Sequence, residues 1–377
     1  MARSSRRKGV SLLNAPLSQG SAVEYNQISS GEMTPSMAAR YLRDEQVPLR
    51  GFGDTLREMY PYPDLQPRLI RAFSEEEAAS ASAARKVYNW LSGACRPVDR
   101  EDVFRIAFAL ELSEAQASVL LGLCTDYGIH YREGRDLIYA WFLRHNLSYR
   151  EARDFFRTLP TPPHDKEPPP IDPATVTHGL QNTFALIQTR EELRERYIAS
   201  LPLMGSLHLR AYHYFQRYMD HLIHPAPGWT DPEAEYSLDA VMDRYLSLHM
   251  PSGKKRAGYT PSQKLIKRNW PNTTALKNIR AQREDVPRKL LLLLYVITEN
   301  VTDGEYTELD EDYLTLEERL DDHWWIINAM LIDCGMPVLD PRSAFDWLVL
   351  YALTATGDES MGERMERVIE ELYADVK

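Results

Sequence analysis

One stretch of this sequence occurs twice, 210 residues apart, and any fold of the chain has to accommodate both copies. Residues 124–143 read CTDYGIHYREGRDLIYAWFL, and residues 334–353 read CGMPVLDPRSAFDWLVLYAL. Four residue pairs are identical at this offset: Cys124 and Cys334, Arg132 and Arg342, Asp136 and Asp346, and Leu143 and Leu353. We therefore expect a duplicated unit of five to six helices, with chance similarity between two helical segments as the alternative. Two copies are too few for a solenoid, which needs three or more repeats.

A second match lies upstream at a shorter offset. EDVFRIAFAL (101–110) resembles EDVPRKLLLL (284–293), and these segments are 183 residues apart. The difference between the two offsets, 210 minus 183, predicts 27 additional residues in the second copy. Most of them would fall in the acidic segment 303–322, because a loop between helices accepts an insertion without disturbing the packing.

The recurring aspartate and arginine positions invite a catalytic interpretation. Each aspartate opens a predicted helix, where a carboxylate accepts hydrogen bonds from unpaired backbone amides. The simpler interpretation is that Asp136 and Asp346 cap helices and form local ion pairs with Arg132 and Arg342.

Helical patterning dominates the rest of the chain. Alternating β-branched runs are nearly absent, and Ala, Leu, Arg and Glu fill most windows, which predicts an all-α fold. In the first half, apolar spacing predicts helices near residues 52–59, 84–91, 103–110, 115–123, 137–143 and 149–159. Asp99 is a candidate N-cap, Ser113 with Gln116 forms a capping box, and the apolar run Leu290–Ile297 is typical of a buried helix.

A proline-rich segment marks the clearest boundary. Seven of the fourteen residues in 160–173 are proline, which removes amide donors and favours an extended, stiff linker. We expect it to join two related helical domains, residues 37–159 and 174–377. Residues 1–36, rich in Ser, Gly, Asn and Gln, are predicted to form a disordered basic arm.

Charge and composition restrict the function. The chain carries 44 Lys and Arg against 55 Asp and Glu, a net charge of −11, which argues against a protein that coats nucleic acid along its whole surface. Local basic patches remain compatible with this balance. The three cysteines are far apart and provide no disulfide framework, and no apolar stretch reaches membrane-spanning length. We expect a cytoplasmic protein without a membrane partner.

The segment RKVYNWLSGACRPVDREDVFRIAFALELS (85–113) carries a family resemblance. Trp90, Gly93, Arg96 and Pro97 match the end of the recognition helix and the turn after it in Cro/Xre-type helix-turn-helix regulators. The resemblance covers about residues 50–123, with a diverged second copy at about 240–373. It implies two helix-turn-helix units and a transcription regulator, acting on its own operon or on a mobile element.

In such a unit the second helix of the motif enters the major groove of duplex DNA. The resemblance places Arg85, Lys86 and Asn89 in that helix, where Arg85 and Asn89 suit guanine and adenine and Lys86 suits phosphate. The run Glu75–Glu77 would repel phosphate, and residues 50–123 have a net charge of −2. A unit that keeps the fold without binding DNA is therefore the alternative for the first copy.

The second copy is strongly basic. Residues 252–289 hold eleven Lys and Arg against two acids, and a helix over 262–269, a turn, and a helix capped by Thr273 or Thr274 follow one another. Lysine and arginine clusters gain DNA affinity by releasing counterions from phosphates. The candidate DNA contacts are Lys254, Lys255, Arg256, Lys264, Lys267, Arg268, Lys277, Asn278, Arg280 and Arg283. The alternatives are a solvated face or a docking surface, and the segment 303–322, of net charge −9, could shield it.

Signals for chemistry are weak. No nucleotide-binding or hydrolase motif occurs, and His221 and His224, three residues apart, lack the further ligands that would complete a metal site. We expect neither a catalytic site nor a metal or other cofactor, and therefore no enzyme.

The competing functional class is a protein–protein interaction module, such as an antitoxin, a defence protein or a regulatory adaptor, that binds its partner through acidic surface. Aromatic residues of the second half could also form the interface of a homodimer.

Overall fold

The computed structural model describes residues 17–74, 80–161, 173–205, 207–224, 237–251, 258–268, 270–298, 315–356 and 359–376. Within these ranges the regular structure is helical and no strand occurs, so the predicted all-α class is confirmed.

The chain divides into two compact units. The central unit comprises residues 50–210 and 333–337, and the terminal unit comprises residues 1–49, 211–332 and 338–377. The N-terminal helices, which belong to the terminal unit, are α1 (Gln19–Ser29) and α2 (Pro35–Arg43). The helices of the central unit are α3 (Phe52–Met59), α4 (Leu65–Ser74), α5 (Ser80–Leu91), α6 (Arg100–Ala109), α7 (Glu114–Thr125), α8 (Gly134–Arg144), α9 (Tyr149–Arg157), α10 (Pro173–Ala185) and α11 (Arg190–Ser200).

The remaining helices complete the terminal unit. They are α12 (Leu209–Ile223), α13 (Leu238–Val241), α14 (Pro261–Lys267), α15 (Thr273–Arg280), α16 (Arg288–Ile297), α17 (Leu316–Asp333), α18 (Ala344–Ala352) and α19 (Met361–Leu372), with a π-helical turn at Met242–Leu246. Two of these helices, α12 and α17, extend by a residue or two across the division between the units.

The helices expected from apolar spacing are present as α3 and α5 to α9. Their caps agree with the residue types as well. The Asp99 carboxylate accepts a hydrogen bond from the Glu101 amide at 2.9 Å, and Ser113 forms a reciprocal capping box with Gln116. The apolar run Leu290–Val296 is fully buried within α16, as a helix that is apolar on every face should be.

The N-terminal region differs from the predicted disordered arm. Residues 17–36 include α1 and the start of α2, while residues 1–16 lie outside the described residues. Ser18 and Thr34 cap the two helices, and Pro35 occupies the first turn of α2, where a missing amide hydrogen costs nothing. The buried face of α2 consists mainly of alanine, a residue that gives little apolar signal in a sequence window.

The proline-rich segment does not coincide with the division between the compact units. Helices α10 and α11, which follow it, share one hydrophobic core with α4 to α9, which precede it. The Trp141 indole of α8 donates to the Ile187 carbonyl between α10 and α11, at 2.9 Å. Residues 162–172 lie outside the described residues, so a stiff linker there stays a prediction.

An ion pair between an arginine and a buried aspartate recurs in both units. In the terminal unit, the two guanidinium nitrogens of Arg288 contact the two carboxylate oxygens of Asp346 at 2.7 and 2.8 Å. In the central unit, Arg100 pairs with Asp136. Both carboxylates are almost completely buried, in the first turn of α18 and α8. The expected local pairs with Arg132 and Arg342 are not the ones formed. The expected capping role is also wrong, because the N-caps of α8 and α18 are Glu133 and Ser343.

The backbone around these pairs matches as well. The Asp136 carboxylate accepts a hydrogen bond from the His130 amide at 2.9 Å, and the Asp346 carboxylate accepts one from the Asp340 amide at 3.0 Å. Asp340 lies 210 residues after His130. The arginines also donate to carbonyls at this offset, Arg100 to Gly128 at 2.7 Å and Arg288 to Val338 at 3.1 Å. Three hydrogen-bonding relations therefore repeat. The aspartates, the amides and the carbonyls are equivalent at the 210-residue offset, and the two arginines occupy the same place in each set although they are 188 residues apart.

The upstream register differs from the expected one. Arg100 begins α6 and Arg288 begins α16, which gives an offset of 188 residues where the sequence match suggested 183. The second copy therefore carries 210 minus 188, or 22, additional residues. Their expected position in the acidic segment stays a prediction, because residues 299–314 lie outside the described residues.

The buried pair supports a stability prediction. Replacing Asp346→Asn should lower the free energy of unfolding of the terminal unit by roughly 3–5 kcal/mol, because the largely buried Arg288 guanidinium loses the carboxylate with which it pairs. Urea unfolding followed by tryptophan fluorescence measures this loss.

Asp375→Asn is the matched control. Asp375 pairs with Arg43 at 2.8 Å, but its side chain is 75% exposed, and we expect a change below about 1 kcal/mol. Equal effects of the two substitutions would contradict a structural role of the buried pair.

A buried histidine predicts a dependence of stability on pH. His323 of α17 lies with Nδ1 2.7 Å from the Tyr295 hydroxyl, and burial, with a smaller contribution from Arg319, lowers its pKa to about 4. The unfolded chain takes up this proton below about pH 6.5, whereas the folded chain does not. Stability should therefore fall as the pH drops from 6.5 towards 4, by about 2 kcal/mol at pH 5.

The measurement is urea unfolding at pH 7 and pH 5 for the wild type and for His323→Gln. The variant should lose about 2 kcal/mol less between the two pH values. His221→Gln, at an exposed position of α12, is the control and should leave the pH dependence unchanged. An unaltered pH dependence in His323→Gln would show that this histidine does not cause it.

Candidate nucleic-acid interface

Helices α14 and α15 form the centre of the basic segment in the terminal unit. Thr260 and Gln263 make a reciprocal capping box at the start of α14, and Lys289 donates to the Leu265 and Ile266 carbonyls near its end, at 3.0 and 2.8 Å. The cap of α15 is Asn272, which accepts the Ala275 amide at 2.9 Å, and not the expected Thr273 or Thr274. Both ends of α14 and the start of α15 are therefore fixed.

The two faces of α15 differ in character. Leu276 and Ile279 are buried against the core, while Thr274, Lys277 and Arg280 are exposed. Spacings of three residues place these exposed side chains on one surface of the helix. Helix α15 thus presents one threonine and two cations outwards.

Helix α5 ends in the same way in the central unit. Val87 and Trp90 are buried, and Gly93 follows with a φ of 79°. In α15 the buried Ile279 is likewise followed, three residues later, by a residue in the left-handed region, Gln282 with a φ of 54°. A left-handed residue just after a helix allows the chain to turn away sharply.

Four of the cations predicted to contact DNA lie on the surface of the terminal unit. They are Lys264, Lys277, Arg280 and Arg283. Lys277 contacts the Asp239 carboxylate at 3.1 Å, with both side chains more than half exposed. Such a surface pair contributes about 0–1 kcal/mol to stability, so Lys277 can release the Asp239 carboxylate and bind another anion at little cost. Asn278 is half-buried and donates to the Glu284 carboxylate at 2.8 Å.

Other predicted residues are engaged inside the unit. Lys267 is buried, donates to the Tyr259 hydroxyl at 3.1 Å and lies over the Tyr259 ring, so it is not available to a surface partner. Arg268 is half-buried and has a partner within the protein. We had expected both at the surface, but sequence spacing alone does not show which face of α14 is covered. Lys254, Lys255 and Arg256 lie outside the described residues.

A tyrosine holds the connection after α15. The Tyr212 hydroxyl of α12 donates to the Glu284 carbonyl, and burial, assisted by the nearby Asp285 and Glu284 carboxylates, raises the Tyr212 pKa. The hydroxyl therefore stays protonated and remains a donor at physiological pH. This contact fixes the chain between α15 and Arg288, the arginine of the buried ion pair.

The candidate residues of α5 are less accessible than those of α15. Arg85 is exposed, but Lys86 contacts the Asp102 carboxylate at 3.1 Å and lies over the rings of Phe73 and Trp90. Asn89 is half-buried. The acidic run 75–77, which we expected to repel phosphate, lies outside the described residues.

Sequence reasoning missed two kinds of residue at these surfaces. Tyr88 is 62% exposed on α5, beside Arg85 on the outward face, although an aromatic residue in a helix usually indicates a core position. Arg100 and Arg288 fix the helices that follow α5 and α15. The signal that would have identified these arginines is their common position at the first residue of a helix in each copy.

The described residues contain no group of three or more His, Cys, Asp or Glu side chains arranged to hold a metal ion. Of the two histidines considered for a metal site, His221 and His224, the second has its Nδ1 2.8 Å from the Asp220 carboxylate, one helical turn away. Among the described helices, none combines the length and apolar character that crossing a membrane requires.

Comparisons with known proteins provide no family assignment. No protein-family model, no curated protein and no solved structure matches this chain.

Proposed function

We propose that this protein binds duplex DNA through the outward face of α15 and regulates transcription, with α14 and α15 acting as a helix-turn-helix motif. The observation that carries the proposal is the composition of this face. Thr274, Lys277 and Arg280 are exposed on a helix whose opposite face is buried, and Lys264 and Arg283 are exposed in the neighbouring segments.

The dimensions of α15 suit this role. Its eight residues span about 12 Å at 1.5 Å per residue, and a helix with side chains is about 10–12 Å wide, close to the width of the major groove. Arginine forms bidentate hydrogen bonds to guanine, and lysine neutralises phosphate or binds guanine. The fixed start of α15 would hold Thr274 at the end of the helix that approaches base edges.

The proposal predicts how affinity depends on salt. The double variant Lys277→Ala with Arg280→Ala should weaken binding to a random-sequence duplex. The slope of log K against log salt concentration should decrease by about 2, since each phosphate contact contributes about 0.9. A fluorescence-anisotropy titration at several salt concentrations measures both quantities.

The double variant Arg40→Ala with Arg367→Ala removes the same charge from other exposed positions of the terminal unit, on α2 and α19. It should bind DNA like the wild type. If both variants lose affinity equally, general charge attraction explains the binding and α15 has no special role. If the wild type binds no duplex at low salt, the proposal is wrong.

A second function, contact with a protein, is favoured for α5 by one observation. Its outward face presents the exposed Tyr88, whereas Lys86 is already neutralised by Asp102. Tyrosine is enriched at protein interfaces, where it supplies a large apolar area and one hydroxyl. In the same titration, Arg85→Ala with Asn89→Ala should leave DNA affinity unchanged if α5 binds a protein, and should weaken it if both units bind DNA.

A further inference from the structure

A pair of helices recurs at the start of the chain and after the proline-rich segment. α1 and α2 form one hairpin, and α10 and α11 form another. Thr34 and Thr189, 155 residues apart, cap the second helix of each hairpin. The hairpins are followed by the similar sequences PLRG (48–51) and PLMG (202–205). The repeated unit therefore includes a hairpin in addition to the helices that the 210-residue offset relates.

Each hairpin contacts equivalent side chains of the unit on which it packs. Arg132 donates to the Leu203 carbonyl at 3.1 Å, and its equivalent Arg342 donates to the Pro48 carbonyl at 2.8 Å. The loop inside each hairpin is held by an aromatic donor at another equivalent pair of positions. Trp141 binds the Ile187 carbonyl, and Tyr351 binds the Met33 carbonyl at 2.8 Å. We call this binding surface the hairpin socket of each unit.

The two hairpins differ in how the chain connects them. The hairpin α10–α11 packs in the central unit, to which residues 50–210 belong without interruption. The hairpin α1–α2 packs in the terminal unit, but the chain passes from residue 49 directly into the central unit. Its socket lies about 300 residues further along the sequence, as the Pro48–Arg342 contact shows. The terminal unit thus contains a hairpin that is separated in sequence from the rest of the unit by residues 50–210.

The contacts of α1–α2 with its socket are specific as well as apolar. Ser21 donates to the Asp340 carboxylate at 2.9 Å, and Tyr25 donates to Asp321 at 2.6 Å. Tyr41 stacks on Trp347 with ring centroids 5.6 Å apart. Ile28, Ala38 and Leu42 of the hairpin are buried. The hairpin's side of each of these contacts lies within residues 17–49, so the whole contact surface belongs to one continuous segment.

One covalent connection, residues 44–51, joins the hairpin to the helices that follow it. Residues 44–46 are exposed, and Glu45 has a φ of 55° in the left-handed region, which non-glycine residues seldom adopt. Extending the chain at Glu45 would relieve its left-handed conformation and leave the contacts of α1 and α2 with the socket unchanged. Of the socket contacts named above, only that of Arg342 with the Pro48 carbonyl, which lies beyond Glu45, would be affected. The same connection can therefore serve as the hinge of an exchange.

We propose that the socket of the terminal unit also binds the α1–α2 hairpin of a second copy of this chain, so that two copies exchange hairpins and form a dimer. The contacts are the same within one chain and between two chains. The ratio of monomer to dimer therefore depends on two concentrations. The effective concentration that the connection provides favours the hairpin of the same chain, and a higher protein concentration favours the hairpin of a second chain. This inference does not depend on DNA binding.

Disulfide trapping between differently sized chains tests the exchange. One chain carries Ser21→Cys and a larger tag, the other carries Asp340→Cys, and both carry Cys95→Ser to remove the exposed native thiol. After joint incubation at increasing concentration and oxidation, we expect a mixed disulfide whose yield rises with concentration. A control pair replaces Ser21→Cys with Ser92→Cys, an exposed position of the central unit, and should give no such increase.

A chain that carries both Ser21→Cys and Asp340→Cys in the Cys95→Ser background shows whether the two sites can be linked. Oxidised at high dilution, it should form the bond within one chain and then stay monomeric by light scattering. The wild type should show a dimer fraction that rises with concentration. If the double variant closes within the chain while the mixture gives no mixed disulfide and the wild type stays monomeric, the exchange is excluded. If the double variant does not close, the light-scattering result for the wild type alone decides.

Discussion

A carboxylate shielded from water, bound to one arginine and one backbone amide, is the interaction on which both units depend. Asp136 and Asp346 each hold the arginine that begins the helix following α5 or α15. The same arginine donates to a carbonyl of the segment preceding α8 or α18. Three parts of each unit therefore meet at one charge pair. A buried charge without its partner is costly, so alternative arrangements of these segments are strongly disfavoured.

On this common framework the two units carry different surfaces. In the central unit, Lys86 is neutralised by Asp102 and lies over aromatic rings, so the outward face of α5 keeps one arginine and an exposed tyrosine. In the terminal unit, the outward face of α15 keeps two cations. Duplication of one helical unit followed by divergence of its surface would explain how a chain of net charge −11 carries a cluster of exposed cations on and around α15. The same basic segment also contains Lys267 and Lys289, which donate to groups within the terminal unit and not to a surface partner.

Much of the fold could be predicted from the sequence, because apolar spacing and capping residues act locally. Helices α3 and α5 to α9 and the caps at Asp99 and Ser113 follow from neighbouring residues alone. Contacts between distant segments were not predictable in this way. The partner of Asp136 is Arg100, 36 residues away, and not the nearby Arg132. The helical N-terminal region depends on a surface far along the chain, and the burial of Lys267 depends on which face of α14 is covered.

Hydrogen–deuterium exchange of the full-length protein, with and without a random-sequence duplex at low salt, tests the central claim most directly. Binding of DNA through α15 predicts slower amide exchange in residues 270–283, an effect that high salt reverses, while exchange in α9 stays unchanged. Unchanged exchange throughout residues 258–289 under conditions where the duplex is bound, or protection confined to other helices, would contradict it.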